Sequence, residues 1–485
     1  MKKLDQILTD IPVLEQKGTT AKQIVSVHFD SREAREGSLF VAVKGLTVDG
    51  HQFIDEAVKN GAVAVICEMF PKHINENITY IKVEDSADEL GKIAANFYDN
   101  PARKINLVGI TGTNGKTTTA TLLFQLFLQS GHKVGLISTI ANYINNRKLS
   151  TKFTTPDSIK INKLLKEMVD EGCEFVFMEV SSHSLKQKRI SGLRFQMALF
   201  TNITHEHLDY HKTFEDYIHS KKLLFDNYLD KNSVAIINSD DRNARIMTQN
   251  TKAQVNTFAL KNMADFKGRI IEKHMDGTQL YLNNNEVWTQ FIGQFNAYNI
   301  IGVYAAARLL GYEKEKLLID ISKLEPVDGR FETIHSKDNK TAIVDYAHSP
   351  DALENVLKTI SELQKENQEL ITLIGAGGDR DKTKRPQMAR IAINYSNKVI
   401  LTSDNPRTEN PEEILNDMKK GVPKNREDKV VIITDRKEGI RTACMMARNN
   451  DIILVAGKGH ETYQEINGVR HHFDDREIIK EIFNN

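Results

Sequence analysis

An apolar run from Ile105 to Ile110 passes directly into Thr111-Gly112-Thr113-Asn114-Gly115-Lys116-Thr117-Thr118 and then into an amphipathic stretch. A chain of this pattern must leave a buried strand, turn sharply through glycines and enter a helix. Such a turn aims successive backbone N–H groups at an anion, and the helix N-terminus behind it adds its dipole. Lys116 is then the group that neutralises β/γ-phosphate charge and Thr117 the hydroxyl that ligates Mg²⁺, so the expected ligand is a nucleoside triphosphate. The spacing departs from G-x-x-x-x-G-K-[ST], because position 110 is Ile and Gly109 is one residue out of register; Gly112 supplies the turn instead. A Gly-rich turn that binds nothing is the alternative, and the order of strand, turn and helix argues against it.

At 485 residues, 40% hydrophobic and 27% charged, the chain is too long for one core and is expected to form about three domains. Its 65 basic and 65 acidic residues cancel, which gives no reason to expect nucleic acid or an anionic membrane as partner. Cys67, Cys173 and Cys444 are odd in number and lack metal-ligand spacing, so they read as reduced thiols. The N-terminus lacks an apolar leader and no apolar stretch is of membrane-spanning length. The expectation is a cytoplasmic protein that does not insert in a membrane.

Three blocks are expected, at 1–101, 102–326 and 327–485, with the first ending at the Asn100-Pro101 turn. The first alternates short apolar runs (Ser38–Val43, Ala62–Cys67, Thr79–Val83) with helical segments. The second continues from the Ile105 strand with strands at Val134–Ile137, Glu174–Val180, Met197–Thr201 and Val234–Asn238, and a helix at Ser158–Glu171. The third has strands at Ala342–Tyr346, Leu370–Ile374, Lys398–Thr402, Val430–Thr434 and Asp451–Ala456. The fold class is therefore α/β, with a mainly parallel, doubly wound sheet at the centre. Ligands of such sheets lie beyond the carboxyl ends of the strands, which places the loops at 375–381, 403–407 and 457–461 around one crevice. The 375–381 loop fails G-x-G-x-x-G because Arg380 stands at the third glycine position, and this argues against a dehydrogenase.

Within the central block, Glu179 ends an apolar strand beside the phosphate loop and is placed for Mg²⁺, the alternative being an ion-paired or capping carboxylate. Three histidines and two carboxylates lie between positions 201 and 211, yet their spacing is wrong for zinc; a Mg²⁺ shell, a substrate contact or plain surface histidines remain. On the helix Thr213–Phe225, stepping by about 100° per residue puts Lys221 at the centre of the stripe Phe214, Tyr217, Ile218, Leu224 and Phe225, with Lys222 at its edge. A lysine there must snorkel, pair or lose its charge. A neutral lysine beside Mg²⁺ can also take up CO₂ as a carbamate.

The ordered set formed by 111–118, 179–183, Asn202 to His211, 293–299, 329–332 and 345–353, with Asp30-Ser31-Arg32 and Phe40 to Gly45 ahead of it, resembles the Mur ligases over nearly the whole chain. These make peptide bonds in peptidoglycan precursor synthesis, so the resemblance implies a cell-wall ligase with roles in cell shape and division. It implies a UDP-binding N-terminal domain, a central ATPase domain and a C-terminal Rossmann-like domain presenting an amino acid. ATP contacts would be Gly112, Thr113, Asn114, Gly115, Lys116, Thr117, Thr118, Asn296 and Arg330. Ser31 would touch the uridine nucleotide, and Thr154, Thr155, Ser181, Gln187 and Arg189 the muramoyl dipeptide. Thr117, Glu179 and His207 would hold Mg²⁺, with Lys116 and Lys221 completing the catalytic set and Lys221 carbamylated. Asp404-Asn405-Pro406-Arg407 resembles the motif of members that use meso-2,6-diaminopimelate, whose distal carboxylate suits a planar arginine fork; Arg380, Gly457 and Glu461 would complete that site. One departure is His205-Glu206, where relatives often carry Arg-Asp. The expectation is an ATP-dependent amide ligase of small-molecule substrates, acting as a monomer through an acyl phosphate. A lysine-adding homologue, a folylpolyglutamate synthase or a P-loop ATPase switch are the alternatives.

Overall fold

The computed structural model describes residues 1–45, 48–151 and 154–484. Three larger sheets organise the chain, one in each third. The first has the strand order Glu15–Lys17, Thr79–Lys82, Ala62–Cys67, Ser38–Val41, Ser26–His28, parallel except at Glu15–Lys17.

The central sheet is eleven-stranded. Its parallel heart runs Val134–Ile137, Phe175–Glu179, Asn106–Thr111, Met197–Phe200, Val234–Asn238, Gln254–Ala259. Phe175–Glu179 is buried at every position, as continuous apolar runs require when helices cover both faces. Helices Lys116–Gln129 and Gln294–Leu309 pack on one face, and Ser158–Asp170 and Phe214–Asn227 on the other. The chain moves from Asn106–Thr111 to one side through Val134–Ile137 and later returns to the other side at Met197–Phe200. The carboxyl end of Asn106–Thr111 is thus a topological switch point, and the phosphate loop leaves from it.

The third sheet runs Glu332–His335, Thr341–Asp345, Ile452–Ala456, Leu370–Ile374, Lys398–Leu401, Val430–Ile432, parallel after its first strand. The α/β class and the Rossmann-like C-terminal unit stand as expected, with strand ends shifted by a residue or two. Beyond the expected strands, Phe266–His274, Gly277–Leu282 and Asn285–Thr289 form an antiparallel set at the far edge of the central sheet. Their signal was the pair Asn283 and Asn284, both with positive φ (44° and 66°), which is the two-residue turn that joins right-twisted strands.

Candidate active site

The phosphate loop admits no side chain at two points. A Cβ on Gly112 would lie 1.8 Å from Oγ1 of Thr201, and one on Gly115 (φ +87°) would lie 2.4 Å from Oδ1 of Asn299. Neighbouring backbone and side chains hold the loop in place. The Thr113 N–H donates to Asn202 O at 2.8 Å, the Asn114 N–H to Asn202 Oδ1 at 2.9 Å, and the Thr201 hydroxyl to Asn114 O at 2.6 Å. Thr113 Oγ1 meets the Tyr217 hydroxyl at 3.0 Å, and Thr118 is buried in the first turn of the helix. Asn296, buried in Gln294–Leu309, supports Asn299 by accepting its Nδ2 at 3.2 Å, so it stands behind Gly115.

Two lysines converge on this loop. Nζ of Lys116 donates to Gly112 O at 2.9 Å and to Thr113 O at 2.8 Å, while Nζ of Lys221 donates to the same Gly112 O at 2.7 Å. Lys221 is 1% exposed and its ammonium lies 4.7 Å from the Tyr217 ring centroid. The helical stripe therefore delivers this lysine to the nucleotide site, and snorkelling is excluded. Burial, and then the Lys116 charge, push the Lys221 ammonium well below the usual lysine range. Burial likewise lowers Lys116, against the pull of Glu179 and Glu206. Lys222, expected at the stripe's edge, is also buried and pairs with Asp226.

Glu179 is fully buried and accepts from Thr117 Oγ1 at 2.9 Å and from the Thr139 N–H at 2.7 Å. Arg330, from the C-terminal third, brings Nη2 within 3.3 Å of the same Thr117 hydroxyl and stacks on Tyr346 with 4.6 Å to the ring centroid. Its buried Nε has no partner among the described residues. His207 has a positive φ of 57° and its ring lies 4.9 Å from that of His183. Burial, with His183, Lys221 and Lys116 adding to it, drives its pKa far below the usual histidine range, so the imidazole is neutral. The Thr117 hydroxyl and the Glu179 carboxylate, in contact beside the phosphate loop, are oxygen donors that fit Mg²⁺, which takes few protein ligands and completes its shell with phosphate oxygens and water. Among the described residues no group of three or more His, Cys, Asp or Glu could hold a metal by itself. The other two histidines of the cluster are engaged elsewhere: His205 stacks on Phe214 (4.2 Å, 11°), and His211 is buried between Ser182 and Ser220 hydroxyls at 2.9 and 3.3 Å.

Thr154, Thr155, Ser181, Gln187 and Arg189, the five residues expected at the muramoyl dipeptide, form a continuous belt beyond the same strand end. Thr155 Oγ1 donates to Glu179 O at 2.8 Å and accepts the Ser181 N–H at 3.3 Å. Arg189 donates to Thr155 O at 3.0 Å and to Gln187 Oε1 at 2.6 and 2.9 Å, and Thr154 accepts from Thr139 Oγ1 at 2.9 Å. Ser31 belongs to the N-terminal unit, where its hydroxyl donates to Glu56 at 2.7 Å. The two units are tied by Lys188 to Asp85 and by Ser191 to Asp88, one and two residues from Arg189.

The C-terminal loops gather as the sheet geometry requires. Asn405, 3% exposed, donates from Nδ2 to Glu461 at 2.8 Å, and the Asp404 carbonyl accepts from Gln464 at 2.7 Å. Arg407 has a positive φ of 52° and donates from Nη1 to Gly378 O at 2.6 Å; Pro406 is buried beside it and Arg380 is exposed. The Gly457 N–H donates to Asp345 O at 3.0 Å. Two buried cations here carry no local sequence signal. Lys458 lies between Asn405 and Glu461. Arg436 forms a fully buried bidentate pair with Asp475 of the last helix at 2.8 and 2.7 Å. Burial alone would raise the Asp404 carboxyl, but Lys458 and Arg436 outweigh it and hold it below the usual carboxylate range. Replacing Asp475 by Ala leaves Arg436 buried and unpaired, and is expected to destabilise the protein by about 3–5 kcal/mol in urea unfolding.

Contacts between the central and C-terminal units were also invisible in the sequence. Oδ2 of Asp351 accepts from Asn114 at 3.1 Å and from Thr204 at 3.2 Å. Glu206, buried next to His207 in the chain, faces His348 at 3.6 Å and Lys384 at 3.9 Å. The departure at His205-Glu206 thus retains a carboxylate that works across the domain boundary.

A phosphate loop at a switch point, with a belt of hydrogen-bonded polar residues on one side and a crevice lined by the C-terminal loops on the other, is the architecture of an ATP-dependent ligase of three α/β units. Family profiles agree: the Mur ligase family catalytic domain matches 23–98, the Mur ligase middle domain 110–307, and the Mur ligase glutamate ligase domain 329–459. The chain belongs to the Mur ligase family. It is 54% identical over 483 residues, covering 100% of both chains, to a protein of Phocaeicola vulgatus named UDP-N-acetylmuramoyl-L-alanyl-D-glutamate--2,6-diaminopimelate ligase. A solved structure carrying that same enzyme name superposes with a TM-score of 0.71 at 32% identity, covering 100% of this chain and 99% of the other. The MurF ligase of Thermotoga maritima, solved in complex with ADP, shares the fold at 21% identity, with a TM-score of 0.62 and 95% and 97% coverage.

Proposed function

We propose that this chain joins an amine of meso-2,6-diaminopimelate to the γ-carboxylate of the D-glutamyl residue in UDP-N-acetylmuramoyl-L-alanyl-D-glutamate, at the expense of ATP. The observation that carries this reading is the double use of Glu179: its side chain binds Thr117 of the phosphate loop and its carbonyl binds Thr155 of the dipeptide belt. Triphosphate and acid substrate therefore meet at one strand end.

A carboxylate does not react with an amine, so it must first acquire a leaving group. The D-glutamyl carboxylate attacks the γ-phosphorus in line, while Lys116 and the backbone amides of 112–118 offset charge on the equatorial oxygens. Thr117, Glu179 and His207 would hold Mg²⁺, which would add further neutralisation of phosphate charge. ADP leaves and an acyl phosphate remains. The free amine, held by the C-terminal loops, attacks the acyl carbon, and the tetrahedral intermediate expels phosphate. Contacts such as Asn114 to Asp351 bring the two units together and exclude water from the acyl phosphate.

Arg407, Asn405 and Glu461, with Arg380 at the rim, would take the distal amino-acid head of diaminopimelate. Arg407→Ala is expected to raise the diaminopimelate KM by about 10–100-fold with little change in the ATP KM, read by phosphate release. An unchanged amino-acid KM removes Arg407 from the site. The same assay with lysine in place of diaminopimelate tests the acceptor directly. The substrates are small soluble molecules, which suits a cytoplasmic monomer; among the described residues no helix is long and apolar enough to cross a membrane.

A further inference from the structure

Five charged side chains run in alternating sign through the C-terminal unit: Asp475, Arg436, Asp404, Lys458 and Glu461. The first four are buried, Arg436 at 1% exposure and Lys458 at 0%. Glu461, the last, keeps 14% of its side chain in contact with solvent at the crevice. Lys458 occupies the decisive position in this row. Its Nζ donates to Oδ1 of Asn405 at 3.0 Å and lies 3.4 Å from Oε2 of Glu461. The backbone N–H of Glu465 donates to the same Oδ1 at 2.9 Å. With two donors on Oδ1, the Asn405 amide has one orientation, and its Nδ2 must face Glu461, where it donates at 2.8 Å.

We propose that Lys458 is a positioning residue for recognition of the acceptor's distal ammonium: by fixing the Asn405 amide and lying against one oxygen of Glu461, it leaves the other oxygen turned to the crevice. Oε2 carries both internal bonds, from Asn405 and Lys458, whereas among the described residues Oε1 meets only the Tyr346 hydroxyl, at 3.4 Å. Three carboxylates against two cations leave the row one negative charge in excess, which an incoming ammonium balances. Lys458 touches neither the acceptor nor the reacting atoms in this scheme and acts through Asn405 and Glu461. The inference rests on the reading of these loops as the amino-acid site, and its test separates the two.

The test compares diaminopimelate with 2-aminopimelate, which retains the distal carboxylate and lacks the distal ammonium. Wild type is expected to favour diaminopimelate in kcat/KM. In Lys458→Met that preference should fall at least tenfold, with 2-aminopimelate turnover within threefold of wild type, and Lys458→Gln, which can still donate to Asn405, should fall between. Hydroxylamine trapping of the acyl phosphate, which needs no acceptor, should stay within twofold in both variants. A preference that survives Lys458→Met overturns the proposal. So does loss of hydroxylamine trapping in both variants, which makes the role of Lys458 structural. Glu461→Gln is the control: if it leaves the preference intact, the amino-acid site itself is misplaced, whereas loss of preference in Glu461→Gln alone rejects only Lys458.

Discussion

Lys116→Ala should reduce acyl-phosphate formation by about 10³-fold or more, since a half-buried cation held within the phosphate loop is pre-organised to offset the charge that develops on transferring phosphoryl oxygens. The structure specifies how this lysine is held: its ammonium is folded onto Gly112 O and Thr113 O, within the loop that receives the phosphates. Those two carbonyls lose a donor when it is removed, so the loop is expected to bind ATP more weakly as well. Hydroxylamine trapping and phosphate release both measure the chemical step, and equilibrium ATP binding separates affinity from rate. Turnover within tenfold of wild type would exclude phosphoryl transfer at this loop.

Lys221→Ala carries the second large effect, an expected loss of about 10²–10³-fold in kcat with the fold intact. Burial and Lys116 favour its neutral amine, which is the form that adds CO₂, and the product would place an anion beside the Lys116 ammonium, where the two lysine nitrogens now share Gly112 O. Intact-protein mass spectrometry under native conditions should show the added mass of one CO₂, absent in the variant. Short carboxylic acids should restore part of the activity to Lys221→Ala. Failure of both the mass shift and the rescue would leave Lys221 as a plain cation of the loop.

Much of this site could be read in the chain because its residues are local. The phosphate loop is one contiguous segment, and Lys221 betrays itself by standing on an apolar helical stripe, a conflict with an ordinary surface helix that the structure resolves by aiming it at Gly112. Glu179 was legible as a charge ending a strand buried at every position. The gathering of the C-terminal loops was legible from their places at the carboxyl ends of parallel strands. What stayed hidden were pairings between distant segments. Nothing near Arg436 announces Asp475 on the last helix, and nothing in the Glu206 segment announces His348 or Lys384. Lys458 sits between two glycines in a loop, and only its burial against Asn405 distinguishes it from a solvated lysine. The antiparallel edge around Asn283-Asn284 carries a local turn signal, but its strands lack the continuous apolar runs that mark the parallel units.

The guanidinium of Arg330 reaches from the last third of the chain to the Thr117 hydroxyl, and Asp351 reaches to Asn114. Nucleotide affinity and the stance of the acceptor-bearing unit are therefore linked quantities. By thermodynamic reciprocity, whatever factor a bound triphosphate contributes to holding that unit in register, the docked unit returns to the triphosphate. Cutting Arg330 or Asp351 should accordingly weaken a nucleotide and an amino acid together.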